Sequence, residues 1–258
     1  MRLVFALILV LLPGIARAEC VVLLHGLART SASMTVMAEV LQRAGYKVVN
    51  RTYPSTEMPI GQLLDVAVTP AVASCGAQRV SFVTHSMGGI LVRAWLQGNR
   101  PKDMGRVVMM GPPNHGSELV DELGDLAAFR WMNGPAGLEL GTDAGSVPNA
   151  LGQAKFELGV IAGTQSLNPV YSAMIEGVDD GKVSVASTRV AGMDDFIALP
   201  VTHTFMMMNP VVIGQVIEFL ETGTFDPGLT LANALDRAAG RRGGDSSFLE
   251  DVGALLSR

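Results

Sequence analysis

The sequence predicts an α/β protein: a mostly parallel six-stranded sheet with helices on both faces and a small cap or lid region. Three observations predict it. Short β-branched or apolar runs recur at 20–25, 46–50, 80–84, 106–110, 157–163 and 196–201. Stretches of helical character at 32–44, 62–73, 88–98 and 210–221 separate most of these runs or follow the last, which is the alternation of βαβ units. One long excursion, 111–156, breaks the rhythm with Gly, Pro and Asn and carries Phe129, Trp131 and Met132, the signature of a cap more than of a separate domain. Right-handed crossovers then place helices on both faces.

Along the chain, the first 18 residues read as a secretory signal peptide. Met1-Arg2 supplies the positive start, Leu3 to Leu12 is unbroken and apolar, and Ala16-Arg17-Ala18 is a small-x-small cleavage site. A span of about 10 apolar residues falls short of the ~20 needed to cross a bilayer. Glu19 before Cys20 is unlike a lipoprotein site. The mature chain is therefore expected to start near Glu19, exported to the periplasm or the extracellular space, with no integral membrane segment. Without Arg2 and Arg17 it carries 17 basic against 24 acidic side chains, a net charge near −7.

The rest divides into a main domain at 19–222 and a loosely attached tail at 223–258 that includes Arg241-Arg242. With 48% hydrophobic residues, the 258-residue chain has enough apolar surface to offset chain entropy, so pervasive disorder is excluded. An acidic chain with no cluster of Lys and Arg beyond that pair is not expected to bind nucleic acid. Its two cysteines, Cys20 and Cys75, each precede a strand-like run at the same end of the expected sheet. An oxidising compartment would join them as a structural disulfide, far from chemistry at the opposite strand ends.

The chemistry starts at Thr84-His85-Ser86-Met87-Gly88, between the run at 80–84 and the helix that opens with Gly89-Ile90-Leu91-Val92. A serine between a strand and a helix, with small residues two positions away on each side, has the form of a nucleophile elbow. Its first small position is Thr84 in place of Gly. Four histidines allow elimination of a base. His85 lies inside the elbow, His25 follows the first strand as a loop organiser, and His115 comes too soon after the serine with no acid-bearing strand between. His203, after the last strand, remains as general base. A carboxylate must orient it. Asp180, in the turn Asp180-Gly181, is chosen with Asp179 as the fallback, whereas Asp194 and Asp195 precede the last strand at its wrong end. An oxyanion hole needs two backbone N–H groups, expected from Met87 and from Leu27 in His25-Gly26-Leu27.

Together with Gly111-Pro112-Pro113-Asn114-His115-Gly116-Ser117 and Asp180-Gly181-Lys182-Val183, these motifs resemble the α/β-hydrolase superfamily, and within it small secreted bacterial lipases and esterases. The resemblance covers roughly residues 19–222. It implies hydrolysis of a small-molecule or lipid carboxylic ester through an acyl-enzyme, with no cofactor. Some relatives bind structural calcium, but no cluster of oxygen ligands carries that over, and no metal is expected. It implies that the Gly-Pro-Pro-Asn-His-Gly-Ser segment walls the pocket. The alternatives are an acyltransferase or thioesterase using the same three residues, or a secreted binding protein on an inactive scaffold. Met34, Met37, Met58, Trp131, Met132 and Met206-Met207-Met208 are candidates for an apolar pocket lining.

Overall fold

The structure, a computed structural model, describes residues 18–239. The expected signal peptide lies outside the described residues except for Ala18. The elements run β1 (Cys20–Leu24), α1 (Thr35–Arg43), β2 (Lys47–Asn50), α2 (Ile60–Leu63), α3 (Thr69–Ala73), β3 (Val80–His85), α4 (Met87–Gly98) and β4 (Met104–Met110). They continue with α5 (Glu118–Leu123), α6 (Ala127–Leu138), α7 (Val147–Ala150), β5 (Leu158–Gly163), α8 (Pro169–Ser172), α9 (Val185–Thr188), β6 (Asp195–Leu199), α10 (Pro210–Thr222) and α11 (Leu231–Ala238).

Six strands form one sheet in the order β2-β1-β3-β4-β5-β6, and every neighbouring pair is parallel. Burial on both faces explains the near-continuous apolar runs. Alternate residues serve opposite layers. Val21, Leu23, Val83, Val108 and Ile161 pack with Met37, Leu41, Val212 and Val216 of α1 and α10. Val22, Leu24, Phe82, Met109 and Val160 pack with Leu63, Ile90, Leu91 and Trp95 on the other face. The chain moves outward from β1 to β2, then returns to the far side of β1 as β3. That reversal opens a crevice at the strands' carboxyl ends, the usual ligand position in such sheets.

The long helices end where their sequences stop them. α1 halts at Gly45, whose φ of +95° an L side chain resists. Asn209 caps α10 by accepting from Val211 and Val212 N–H, with Pro210 at the first helical position and Gly223 left-handed at its end. The excursion at 111–156 is more helical than its composition suggests. Gly134 breaks α6 at φ +63°, and a Cβ there would overlap the Thr56 carbonyl, so this turn of α6 sits directly on the loop after β2.

Cys20 and Cys75 form a disulfide at the amino end of the sheet, with Cα atoms 5.7 Å apart. The segment 223–239, expected to be loosely attached, is packed in this structure. Phe225 is buried against Phe219, its N–H donates to Asp195 Oδ2 (2.7 Å), and Ala234 of α11 is buried over Gly214. The eight-residue break at 223–230, with Gly223, Asp226, Pro227 and Gly228, hides this return in the sequence, because only the tertiary fold brings Phe225 to the sheet. Residues 240–258 lie outside the described residues.

Candidate active site

Ser86 joins β3 to α4 with φ +53° and ψ −125°, a conformation that costs on the order of 1–3 kcal/mol for a residue with a Cβ. The surroundings impose it. Ser86 N–H donates to the Met110 carbonyl (2.9 Å), and Gly89 N–H donates back to the Ser86 carbonyl (2.9 Å). A Cβ on Gly88 would lie 2.5 Å from the Leu24 carbonyl oxygen, so only glycine lets α4 approach β1 this closely. Thr84, the departure from the usual small residue, is buried, with its hydroxyl 3.5 Å from the Val108 carbonyl.

The loop after β1 lies against this elbow. A Cβ on Gly26 would stand 3.1 Å from Ser86 Cβ and 2.9 Å from His85 Nδ1, so the Gly26-Leu27 main chain passes beside the serine. His25 holds the loop from below. Its ring stacks on Tyr53 at 3.8 Å, its Nδ1–H donates to the Gly26 carbonyl (2.9 Å), and Nε2 accepts from Tyr53 N–H (3.3 Å). Tyr53 Oη also donates to the His25 carbonyl. Burial lowers the His25 pKa below 6.5, consistent with this neutral tautomer. His115 is exposed and bonded to Asn149 Oδ1 (2.9 Å), away from the serine.

Asp180 and His203, the residues expected to serve as acid and base, lie on loops beyond β5 and β6. Asp180 Oδ1 accepts from Lys182 N–H (3.0 Å) and Val183 N–H (2.9 Å), which closes the turn and leaves Oδ2 for His203 Nδ1 at 2.7 Å. His203 N–H also donates to the Asp180 carbonyl (2.9 Å). Because the carboxylate only accepts, Nδ1 carries the proton and the lone pair lies on Nε2. Small residues make room: a Cβ on Gly111 would be 3.0 Å from Asp180 Oδ2 and 3.1 Å from His203 Nδ1. Asp179, the fallback, turns elsewhere. Its Oδ1 accepts from Ser172 Oγ (2.8 Å) and Gly181 N–H (2.6 Å). Asp194 and Asp195 stand at the opposite end of β6, accepting from Leu158 and Phe225 N–H.

Sequence reasoning gave His85 no part beyond its place in the elbow. In the structure its Nε2–H donates to the His203 carbonyl (2.9 Å), and the two rings lie 4.7 Å apart. Among the described residues its Nδ1 is buried without a hydrogen-bond partner. Burial chiefly, then the neighbouring His203, hold its pKa well below 6.5, so the ring is neutral and serves as a donor. The histidine's place beside the elbow serine was its one visible signal.

A cavity of about 290 Å³ opens over these groups. Ser86, His203, Gly26 and Leu27 border it below, Pro113 and Ser117 at the side, and Phe129 and Met132 of α6 above. Ser117 Oγ donates to the Lys182 carbonyl (2.7 Å), tying the Gly111–Ser117 segment to the Asp180 turn. Ser86 and His203 share the cavity, and among the described residues no hydrogen bond joins them. Of the methionines and tryptophan named as lining candidates, Met132 alone borders it. Met34, Met37, Met206 and Met207 belong to the core, and Trp131 is 85% exposed on the outside.

No protein-family model and no curated protein matches this sequence. Solved structures do. The mature lipase BlEst2 of Bacillus licheniformis superposes with a TM-score of 0.60 at 21% identity, over 81% of this chain and 93% of that one. Phospholipase PlaB of Legionella pneumophila gives a TM-score of 0.62 at 19% identity, over 93% of this chain, which spans 62% of PlaB. The metagenomic carboxyl esterase MGS0156 gives 0.58 at 18%, over 87% of this chain and 76% of that one. The chain has the α/β-hydrolase fold.

Proposed function

We propose that this protein is an exported serine hydrolase of carboxylic esters, of the lipase and esterase kind, acting through Ser86, His203 and Asp180. One observation carries the reading: buried His203, bonded through Nδ1 to Asp180, borders the same small cavity as the strained Ser86. His203 Nε2 takes the Ser86 proton as Oγ attacks the ester carbonyl. The N–H groups of Met87 and Leu27 bind the resulting oxyanion, aided by the positive end of α4 beneath it. The imidazolium, stabilised by Asp180, then protonates the leaving alcohol, and a water deprotonated by His203 releases the acid. The Cys20–Cys75 bond and the signal-like amino terminus support export to an oxidising compartment.

Ser86→Ala tests the assignment. It should abolish hydrolysis of short p-nitrophenyl esters and labelling by a fluorophosphonate probe, with a loss on the order of 10⁴-fold or more, while the circular dichroism stays native. Activity that persists in this variant assigns the chemistry to another serine.

A further inference from the structure

Two cations border the same cavity as Ser86, and among the described residues neither makes an ion pair. Arg29 lies two residues after Leu27, and Lys182 two residues after Asp180. Among the described residues Arg29 makes no hydrogen bond or ion pair. The Lys182 ammonium makes none either, and its Nζ lies 4.8 Å from the centre of the Tyr171 ring. Other arginines are engaged: Arg79, Arg106, Arg130 and Arg237 each reach a carboxylate, and Arg93 bonds Asn114.

Both cations ride on loops held still by other contacts. Ala28, at φ +52°, donates its N–H to the buried Ser55 hydroxyl (3.1 Å), and Ser31 N–H donates to Thr52 Oγ1 (3.1 Å). On the facing loop, Asp180 Oδ1 holds the N–H groups of Lys182 and Val183, and Ser117 holds the Lys182 carbonyl. Two like charges fixed at one opening repel each other. Partial burial and then the Arg29 charge lower the Lys182 pKa, while Asp180 works the other way. In a chain with a net charge of −5, this concentration of positive charge beside the serine is a local exception. A ligand anion entering between them would relieve the repulsion, with the guanidinium able to grip two oxygens and the ammonium acting as a point charge.

We propose that Arg29 and Lys182 form an anion-binding subsite of this cavity, and that the favoured ester carries a carboxylate or phosphate on its acyl or alcohol part. The inference rests on the ester-hydrolase reading for its substrate, though the subsite itself can be tested without turnover. Both charges are carried by the loops that also supply the oxyanion donor and the acid, so a bound anion is registered against the reacting carbonyl.

The test uses two matched pairs of esters. Mono-p-nitrophenyl glutarate against p-nitrophenyl pentanoate places a carboxylate on the acyl side. Dibutanoyl glycerophosphate against dibutanoylglycerol places a phosphate on the alcohol side. The expected result is a kcat/KM ratio of anionic to neutral ester of about tenfold or more in at least one pair, carried by KM. Arg29→Gln and Lys182→Gln should each reduce that ratio about tenfold, Arg29→Lys should recover part of it, and about 0.5 M salt should narrow it. Ratios at or below unity in both pairs, or ratios that neither substitution moves, overturn the subsite while leaving ester hydrolysis standing. Failure to cleave the neutral esters would count against the hydrolase reading. Calorimetric titration of monomethyl glutarate and glycerophosphate into the protein then decides the subsite: binding that both Gln variants weaken upholds it, and absence of binding overturns it.

Discussion

Replacing both Cys20 and Cys75 with alanine should strip the fold of a large share of its margin without touching the chemistry. The bond closes a span of 55 residues, from the first residue of β1 through α1, β2 and α3. Loop-closure entropy for that span amounts to about 4 kcal/mol, against total stabilities of about 5–15 kcal/mol. Both sulfurs are buried, so alanine also leaves small voids that act in the same direction. For a domain of this size each kcal/mol moves the Tm by about 2–4 °C, giving a fall of about 8–16 °C. Thermal unfolding followed by circular dichroism on oxidised protein and on the double variant measures it. The two sulfurs lie at the amino end of the strands and Ser86 at the carboxyl end, so initial rates at room temperature should persist in the variant. A Tm within a degree or two of the parent would refute the reasoning, because it would mean that residual structure already confines the unfolded chain without the bond.

Asp180→Asn should lower kcat by about 10⁴-fold with little loss of stability, because an amide favours the wrong imidazole tautomer while its oxygen can still accept from Lys182 and Val183 N–H. A larger loss from Asp179→Asn in the same ester assay would transfer the role to that residue. His85 makes stability depend on pH in a definite direction. Its folded pKa lies well below the 6.5 of the unfolded chain, so on acidification the unfolded state gains a proton that the native state refuses. Stability is therefore greatest above pH 6.5 and falls below it, by about 1 kcal/mol between about pH 7.5 and pH 5.5, or about 2–4 °C in Tm. His25, shifted the same way, adds to the fall. His85→Gln should flatten the slope of Tm against pH, and an unchanged slope would clear His85 of the effect.

The sheet was legible because strands buried on both faces cannot alternate polar and apolar residues. The runs at 20–25 and 157–163 therefore stood out and coincide with β1 and β5 within one or two residues. The helical stretch at 210–221 coincides with α10, whose stops, Asn209-Pro210 and Gly223, act locally. Ser86 was legible for a similar reason, since the requirement at Gly88 comes from contact with β1 and leaves a glycine in the sequence. The roof was obscure because Gly134-Pro135 reads as loop although helix stands on both sides of it. The stack of His25 on Tyr53, the bond from His85 to the His203 carbonyl and the return of Phe225 to the sheet join residues 28, 118 and 30 positions apart. No periodicity or local propensity encodes contacts at that range.

The elbow and the roof answer to different constraints. Ser86 is clamped by main-chain atoms of β1, β4 and α4, where almost any substitution strains the centre of the sheet. Phe129 and Met132 reach the cavity from a helical insertion outside the βαβ succession. Diversification can therefore proceed there almost independently: exchanging Phe129 or Met132 reshapes the cavity, while Ser86, His203 and Asp180 beneath keep their alignment.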